Sequence, residues 1–476
     1  MNKNTFYITT TLPYVNAEPH IGFALETIQA DVLARYHRII GDKVFFNTGT
    51  DEHGLKISRK AAKNNLSPQE FVDEYAAKFQ ELKNMLNLSY TKFIRTTDKD
   101  HIQAAKRFWK ICKENGDIYK AEQEIKYCVG CEMEKTESEL EEGCCPLHPN
   151  KEIETFKEEN YFFRFSKYEQ LLLDFYKENP DFIVPQYRLK EIKKFIKGGL
   201  KDFSISRIKE KMPWGIEVPG DSDHVMYVWF DALINYISTL GWPKDLNSFN
   251  KWWPGYQVAG KDNLRQQTAI WQAMLMSARL PNSKQILIHG FITADGQKMS
   301  KSIGNVVSPK ELVNKYGAEA VRYYLLKEVP ATKDGDFTHK HFEEVYNADL
   351  ANGLGNLVQR VAKLCELADF SLPEEELKRQ TKINKKIGEH IKNYSFNKAL
   401  ILVWKDIQNL DRKINKQKPW EKEGQELKTI LKTLVKQIIN ISINLKPFLP
   451  ETAEIIRSTF ISKQIQAPEK PLFPRV

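Results

Sequence analysis

Two stretches of the chain carry groups suited to phosphate chemistry. Pro19-His20-Ile21-Gly22-Phe23 sets an imidazole where a helix is expected to begin, close behind a strand. Donors at a helix start favour phosphate, and Gly22 lets a nucleotide approach the backbone. Much later, Lys298-Met299-Ser300-Lys301-Ser302 supplies two ammonium groups on flexible stems, suited to closing over a triphosphate. Activating a carboxylate with ATP means in-line attack on the α-phosphate. Negative charge then grows on the phosphate oxygens and must be met by N–H donors or cations. Neither stretch is specific alone: a lone His-Ile-Gly is weak, and a lone lysine-serine loop is more often a solvated turn.

A second chemistry is legible in a cysteine cluster. Cys128-Val129-Gly130-Cys131 and Cys145-Pro146-Leu147-His148 are chelating pairs, each with a two-residue spacer, so both side chains of a pair can reach one tetrahedral ion. Thiolate plus imidazole suits zinc. Four protein ligands, Cys128, Cys131, Cys145 and His148, leave no open position, so one structural Zn2+ per chain is expected. Unpaired thiols or a disulfide are the competing readings, and Cys144 is a spare thiol able to replace Cys145.

These groups need elements to position them. Phe6-Tyr7-Ile8-Thr9-Thr10-Thr11 is β-branched and aromatic, a strand stopped by Leu12-Pro13-Tyr14. Leu25, Ile28, Val32 and Tyr36 then fall on one helical face, ended by Gly41-Asp42. Lys43-Val44-Phe45-Phe46-Asn47 is a second strand, running into Gly49-Thr50-Asp51-Glu52-His53-Gly54. Strand, helix, strand is the unit of an open parallel sheet, whose ligands sit at the carboxyl ends of the strands. From about Gly116 the pattern changes to the cysteine cluster and a lysine-rich segment, residues 153–216, inserted between two halves of the sheet. Further strands are expected at Val225-Met226-Tyr227-Val228-Trp229-Phe230, Tyr256-Gln257-Val258-Ala259 and Gln285-Ile286-Leu287-Ile288-His289. A helix is expected around Ala269, Trp271, Met274 and Leu275. Beyond Phe337 the pattern is helical: Ile383, Ile387 and Ile391 recur every four residues, and Leu400, Trp404, Ile407, Leu410 and Ile414 continue a stripe. The expected architecture is an α/β, Rossmann-type parallel-sheet domain split by a zinc-knuckle insertion and followed by an all-α bundle. The boundaries are 1–115 and 225–285 for the sheet halves, 116–224 for the insertion, 286–345 for the lysine-loop region and 346–476 for the bundle.

The bulk numbers agree with a multidomain globular protein: 476 residues, 41% hydrophobic and 28% charged. A net charge of +9 is compatible with a polyanionic partner, although dispersed lysine also serves solubility. No apolar run approaches the roughly 20 residues needed to cross a bilayer. The start, Met1-Asn2-Lys3-Asn4-Thr5-Phe6, lacks the apolar stretch of a leader, so a cytoplasmic protein with reduced cysteines is expected.

Taken in order, with a parallel sheet between them, the two phosphate stretches resemble the signatures of class I aminoacyl-tRNA synthetases. The resemblance narrows to the methionyl-tRNA synthetase family through several further motifs. They are Leu12-Pro13-Tyr14-Val15-Asn16, Gly49-Thr50-Asp51-Glu52-His53-Gly54, Tyr227-Val228-Trp229-Phe230-Asp231-Ala232-Leu233 with Tyr236, Gly260-Lys261-Asp262 and His289-Gly290-Phe291. It covers nearly the whole chain. It implies activation of L-methionine by ATP, with Mg2+, to methionyl-adenylate, and transfer to tRNA(Met). His20, Lys298 and Lys301 would be catalytic. Pro19, His20, Gly22, Gly260, Asp262, His289, Ile292, Lys298, Met299, Ser300 and Lys301 would hold ATP. Asp51 would pair with the substrate ammonium, a charge-assisted bond worth roughly 1.5–3 kcal/mol. Leu12, Tyr14, Trp229, Ala232, Leu233, Tyr236, Gln267 and Trp271 would form the methionine slot, exploiting sulfur–aromatic contact. Two departures from the family pattern stand out: Phe23 where histidine is usual, and Gln266-Gln267 where an aromatic-histidine pair is usual.

At the helical end, Asn356 and Arg360 lie four residues apart, hence on one helical face, and Lys418-Pro419-Trp420 offers an indole. Amide, guanidinium and indole are tools for reading unstacked bases, yet spacing alone equally suits helix packing. The resemblance assigns Asn356, Arg360 and Trp420 to the anticodon and makes the all-α bundle an anticodon-binding domain. A monomer is expected. The competing functions are a class I synthetase for another amino acid and a catalytically silent tRNA-binding paralogue.

Overall fold

The computed structural model describes residues 4–131, 133–135, 139–299, 304–373, 376 and 382–476. Ser300, Lys301 and Ser302, expected at the phosphates, lie outside the described residues.

Among the described residues six parallel strands form the central sheet. Their order is Lys92–Arg95, Lys43–Thr50, Thr5–Thr10, Tyr256–Gly260, Gln285–His289, Ile183–Val184. From Thr5–Thr10 the chain runs outward through Lys43–Thr50 and Lys92–Arg95, and its second half starts again on the opposite side. The switch point therefore falls between Thr5–Thr10 and Tyr256–Gly260, and open sheets bind ligands just beyond that crevice. Gly49 is required where two strands meet, because a Cβ there would stand 1.8 Å from the Ile94 carbonyl oxygen.

The first crossover is the helix Ile21–Ile39, buried on nearly every face, Leu25, Ile28, Val32 and Tyr36 included. The sheet covers one side of it, and the helices Ala318–Lys327 and Lys385–Lys392 cover others. Its buried Asp31 accepts from Arg35, from the Ser89 backbone and hydroxyl, and from Arg322 at 2.8 Å. Arg322, fully buried on Ala318–Lys327, also donates to the carbonyls of Leu86 and Phe448. One guanidinium thus joins the sheet domain to the turn beyond Gly424–Leu445.

The insertion is built on a long antiparallel hairpin, Ile118–Cys128 paired with Ile153–Phe163 from Ile118↔Phe163 to Cys128↔Ile153. At about 3.4 Å per residue its arms carry the tip about 35 Å from the base. Two segments differ from their sequence pattern. Ile183–Val184, within the lysine-rich stretch, returns to the parallel sheet as its edge strand. Two residues are too few to show a period. The run expected as one strand from Val225 to Phe230 divides instead. Asp221–Met226 is a strand of a small antiparallel sheet, and Val228–Ala232 is a helical turn. Val225, Met226 and most of Val228–Ala232 are buried, and a buried strand end and a buried turn look alike in hydropathy.

The C-terminal region is helical as expected, with Asn356–Leu367, Phe396–Gln417, Gly424–Leu445 and Pro450–Ile461 as its main helices. Leu400, Trp404, Ile407, Leu410 and Ile414 are all buried. A single apolar cluster runs from Phe6 and Ile8 on the sheet through Ile21–Ile39 to Phe460. Among the described residues no helix is long and apolar enough to cross a membrane.

Candidate active site

A cavity of about 800 Å³ opens at the carboxyl ends of the strands beside the switch point. On one side it is lined by Pro19, His20, Gly22, Gly260, Asp262, His289, Ile292, Lys298 and Met299. His20 caps the helix Ile21–Ile39, its ring Nδ1 accepting from the Gly22 N–H at 3.1 Å. An accepting Nδ1 on a neutral imidazole leaves the proton on Nε2, free to donate into the cavity. Desolvation in the cleft lowers the His20 pKa, partly opposed by Asp262. Gly22 has a steric reason beside it, since a Cβ would lie 2.9 Å from the His20 ring.

The two phosphate stretches meet here. The Ile21 N–H donates to the Val307 carbonyl, at the start of the helix and just past the lysine loop. Lys298 sits on an edge strand, its Nζ 5.7 Å from the centroid of the Phe291 ring. Lys261 lies over the same ring at 4.3 Å and pairs with Asp334 at 2.6 Å. Phe23 also faces the cavity, its ring meeting Phe79 edge-on at 5.2 Å between centroids.

The cavity floor holds a pair that the sequence pattern did not reveal. Glu26 accepts from the Thr11 N–H and hydroxyl through Oε1, and its Oε2 stands 2.9 Å from His289 Nε2. His289 Nδ1 faces the Gly290 carbonyl at 2.7 Å. Burial lowers the His289 pKa, but Glu26 more than offsets it, and the net shift is upward. With an acceptor facing each nitrogen, the surroundings favour the protonated ring. One signal was available: Glu26 and Asp31 are the only charges between Ile21 and Ala34. Such isolated charges on a core helix are normally paired.

On the other side, Leu12, Tyr14, Asp51 and Trp229 line the cavity. Asp51 is buried, and its backbone zips to the first loop through Asp51 N–H to Pro13 O and Val15 N–H to Asp51 O. Ala232, Leu233, Tyr236, Gln267 and Trp271 are buried and do not line it. Trp271 packs against Tyr236 and Phe108, and Gln267 accepts from Gln257 at 3.1 Å. Beneath them, Asp231 lies 2.6 Å from His53 Nδ1 and 2.7 Å from His101 Nε2.

The hairpin tip brings the four expected ligands together. Cys128, Cys131, Cys145 and His148 present atoms all within 4.8 Å of one another, and Cys144 stands outside that group. His148 Nδ1 is 3.2 Å from Cys131 Sγ, 3.9 Å from Cys128 Sγ and 4.0 Å from Cys145 Sγ. A tetrahedral zinc ion would separate sulfur from nitrogen by about 3.6 Å, so the donor set fits. Gly130 permits the approach, for a Cβ there would be 2.3 Å from the His148 ring. Gly130, Cys131 and His148 also border the cavity, and Lys56 donates to the Gly130 carbonyl.

Outside the cavity lining, Asn356 and Arg360 share the helix Asn356–Leu367. Arg360 donates to Asp411 at 2.5 Å and to Asn415 at 2.8 Å, near the end of Phe396–Gln417. Trp420 follows just after that end and is 55% exposed, unusual for an indole with a purely structural task.

Comparison with known proteins agrees with this layout. The family described as tRNA synthetases class I (M) matches residues 6–155 and 148–362, and the anticodon-binding domain of tRNA ligase matches residues 376–472. The methionine–tRNA ligase of Nostoc sp. is 43% identical over 475 residues, covering 95% of this chain and 89% of the relative. That of Thermotoga maritima is 41% identical over 485 residues, 98% of this chain and 76% of the relative. The Mycobacterium tuberculosis methionyl-tRNA synthetase in complex with methionyl-adenylate superposes with a TM-score of 0.91 at 34% identity, covering 99% of this chain and 100% of that one. With the family pattern spanning most of the chain and the likeness reaching both ends, the chain belongs to the methionyl-tRNA synthetase family.

Proposed function

We infer that this chain is a methionine–tRNA ligase, activating L-methionine with ATP and transferring the methionyl group to tRNA(Met) for translation. One observation carries the inference. The phosphate-facing groups His20 and Lys298 and the amino-acid-facing groups Asp51 and Trp229 line the same cavity. The solved relative with methionyl-adenylate bound supports it.

In the first step a methionine carboxylate oxygen attacks the α-phosphorus of ATP, and the bond to the β-phosphate oxygen breaks, releasing pyrophosphate. His20 Nε2–H donates to the phosphate oxygens as charge accumulates, and Lys298 and Lys301 neutralise the departing pyrophosphate. Pro19, Gly22, Gly260, Asp262, Ile292, Met299 and Ser300 shape the nucleotide pocket, with His289 holding its floor. Asp51 anchors the substrate ammonium. Leu12, Tyr14 and Trp229 wall the thioether, with Ala232, Leu233, Tyr236, Gln267 and Trp271 as the layer behind. In the second step a terminal ribose hydroxyl of the tRNA attacks the carbonyl carbon and AMP leaves. Mg2+ accompanies ATP as the counter-charge of the triphosphate. Asn356, Arg360 and Trp420 read the anticodon by edge hydrogen bonds and stacking. One zinc held by Cys128, Cys131, Cys145 and His148 stiffens the hairpin tip. A cytoplasmic monomer belongs to the same inference.

ATP–pyrophosphate exchange with each amino acid in turn tests it. Exchange dependent on methionine is expected. Dependence on another amino acid would assign the chain a different substrate, and no exchange with any would make it a silent paralogue. Metal analysis of protein purified without chelators should give about one zinc per chain.

A further inference from the structure

Two turns supply the amino-acid side of the cleft, and one carboxylate fastens them together. Asp51 and Trp229 face the cavity. Two residues beyond each, His53 and Asp231 turn away from it and meet at 2.6 Å. The other Asp231 oxygen lies 2.7 Å from His101 Nε2, and His101 Nδ1 lies 2.9 Å from the Ser238 hydroxyl. His101 belongs to the helix Lys99–Glu114, so the carboxylate ties three separate segments. Asp231 and His101 have no solvent exposure, and His53 is buried. Each histidine can give one N–H to the carboxylate, and the Ser238 hydroxyl meets the remaining nitrogen of His101. Burial alone would raise the Asp231 carboxyl, but its histidine partners, His53 foremost, hold it below its ordinary value.

We propose that Asp231 is a positioning residue for the amino-acid substrate. Through His53 and its own turn, it fixes the separation between the Asp51 carboxylate and the Trp229 ring. This rests on the ligase inference above. A substrate gripped at one end by its ammonium and at the other by its side chain senses that separation directly. The nucleotide half, whose contacts come from other strand ends, does not. Misplacement by about 1 Å can cost on the order of 10²-fold in rate.

The test is the split between KM for methionine and KM for ATP in the exchange reaction, measured on the full chain. Asp231→Ala should raise KM for methionine about tenfold and leave KM for ATP within about twofold. Asp231→Asn should recover most of the loss. Its Oδ1 accepts from His53, and its amide donates to His101 once that ring moves its proton to Nδ1 and donates to Ser238. His53→Asn, which keeps a donor near the Nδ1 position, should outperform His53→Leu. If Asp231→Ala does not fold, Asp231→Asn carries the measurement, with a rise of about two- to threefold in KM for methionine alone. Equal rises in both KM values, no rise in either, or no difference between His53→Asn and His53→Leu would overturn the proposal. If the wild-type enzyme exchanges with another amino acid, the methionine assignment falls. The same split measured on that amino acid still decides the role of Asp231.

Discussion

The proposed nucleotide side and the proposed amino-acid side of the cleft are built on different plans. Every described residue expected at the nucleotide lines the cavity, from Pro19 to Met299. On the amino-acid side Leu12, Tyr14, Asp51 and Trp229 line it, while Ala232, Leu233, Tyr236, Gln267 and Trp271 are packed behind. The difference follows from what each half must meet. Donors for a charged phosphate have to stand clear of the core and stay fixed, because reorienting them during reaction would cost energy. An apolar slot can be stored as aromatic surface packed on itself and opened by the ligand.

The largest effect should fall on the nucleotide side alone. His20→Ala is expected to lower kcat for exchange by about 10²–10³-fold while moving KM for methionine little, since one donor to a developing charge is worth that much. A large rise in KM for methionine would show the two halves are not separable. Next comes Asp51→Asn, which should cost about 10–100-fold in kcat/KM for methionine and spare KM for ATP, from the roughly 1.5–3 kcal/mol of a charge-assisted bond. Trp420→Ala should reduce tRNA charging about tenfold through lost stacking and leave exchange unchanged. Loss of both activities together would mean the indole supports the fold instead. The smallest change belongs to Phe23→His. It should lower KM for ATP by a few-fold by adding a donor. Giving up the edge contact with Phe79 should cost thermal stability about 0.5–1.5 kcal/mol. The stored-slot idea has its own check: methionine should perturb tryptophan fluorescence through Trp229 and Trp271, and ATP alone should not.

The nucleotide half was the more legible in the sequence because its groups sit in short contiguous motifs at strand ends. The regular elements were legible too: Thr5–Thr10 by its run of β-branched and aromatic residues, and Phe396–Gln417 by a helical period repeated several times. Three features resisted. Ile183–Val184 joins the sheet as two residues held by a neighbour, with no pattern of its own. The Val228–Ala232 turn is as apolar as the strand end before it. Glu26 and the Asp231 pair with His53 depend on contacts between residues 263 and 178 positions apart, which no local spacing records. Burial, likewise, separates Trp271 from Trp229, and residue type does not.

Arg322 bears on how divisible the chain is. Its guanidinium is completed by carbonyls from opposite sides of the nominal boundary near residue 345: Leu86 before it and Phe448 after it, with Asp31, also before it, as the charged partner. A catalytic fragment ending at that boundary would keep the Arg322–Asp31 pair but leave the Arg322 Nε–H without its carbonyl acceptor, a defect on the order of 1–3 kcal/mol. The helical region is therefore no detachable module. A shortened enzyme has to give the Arg322 Nε–H another acceptor, because Asp31 keeps its other partners, Arg35 and Ser89, on the near side of the cut.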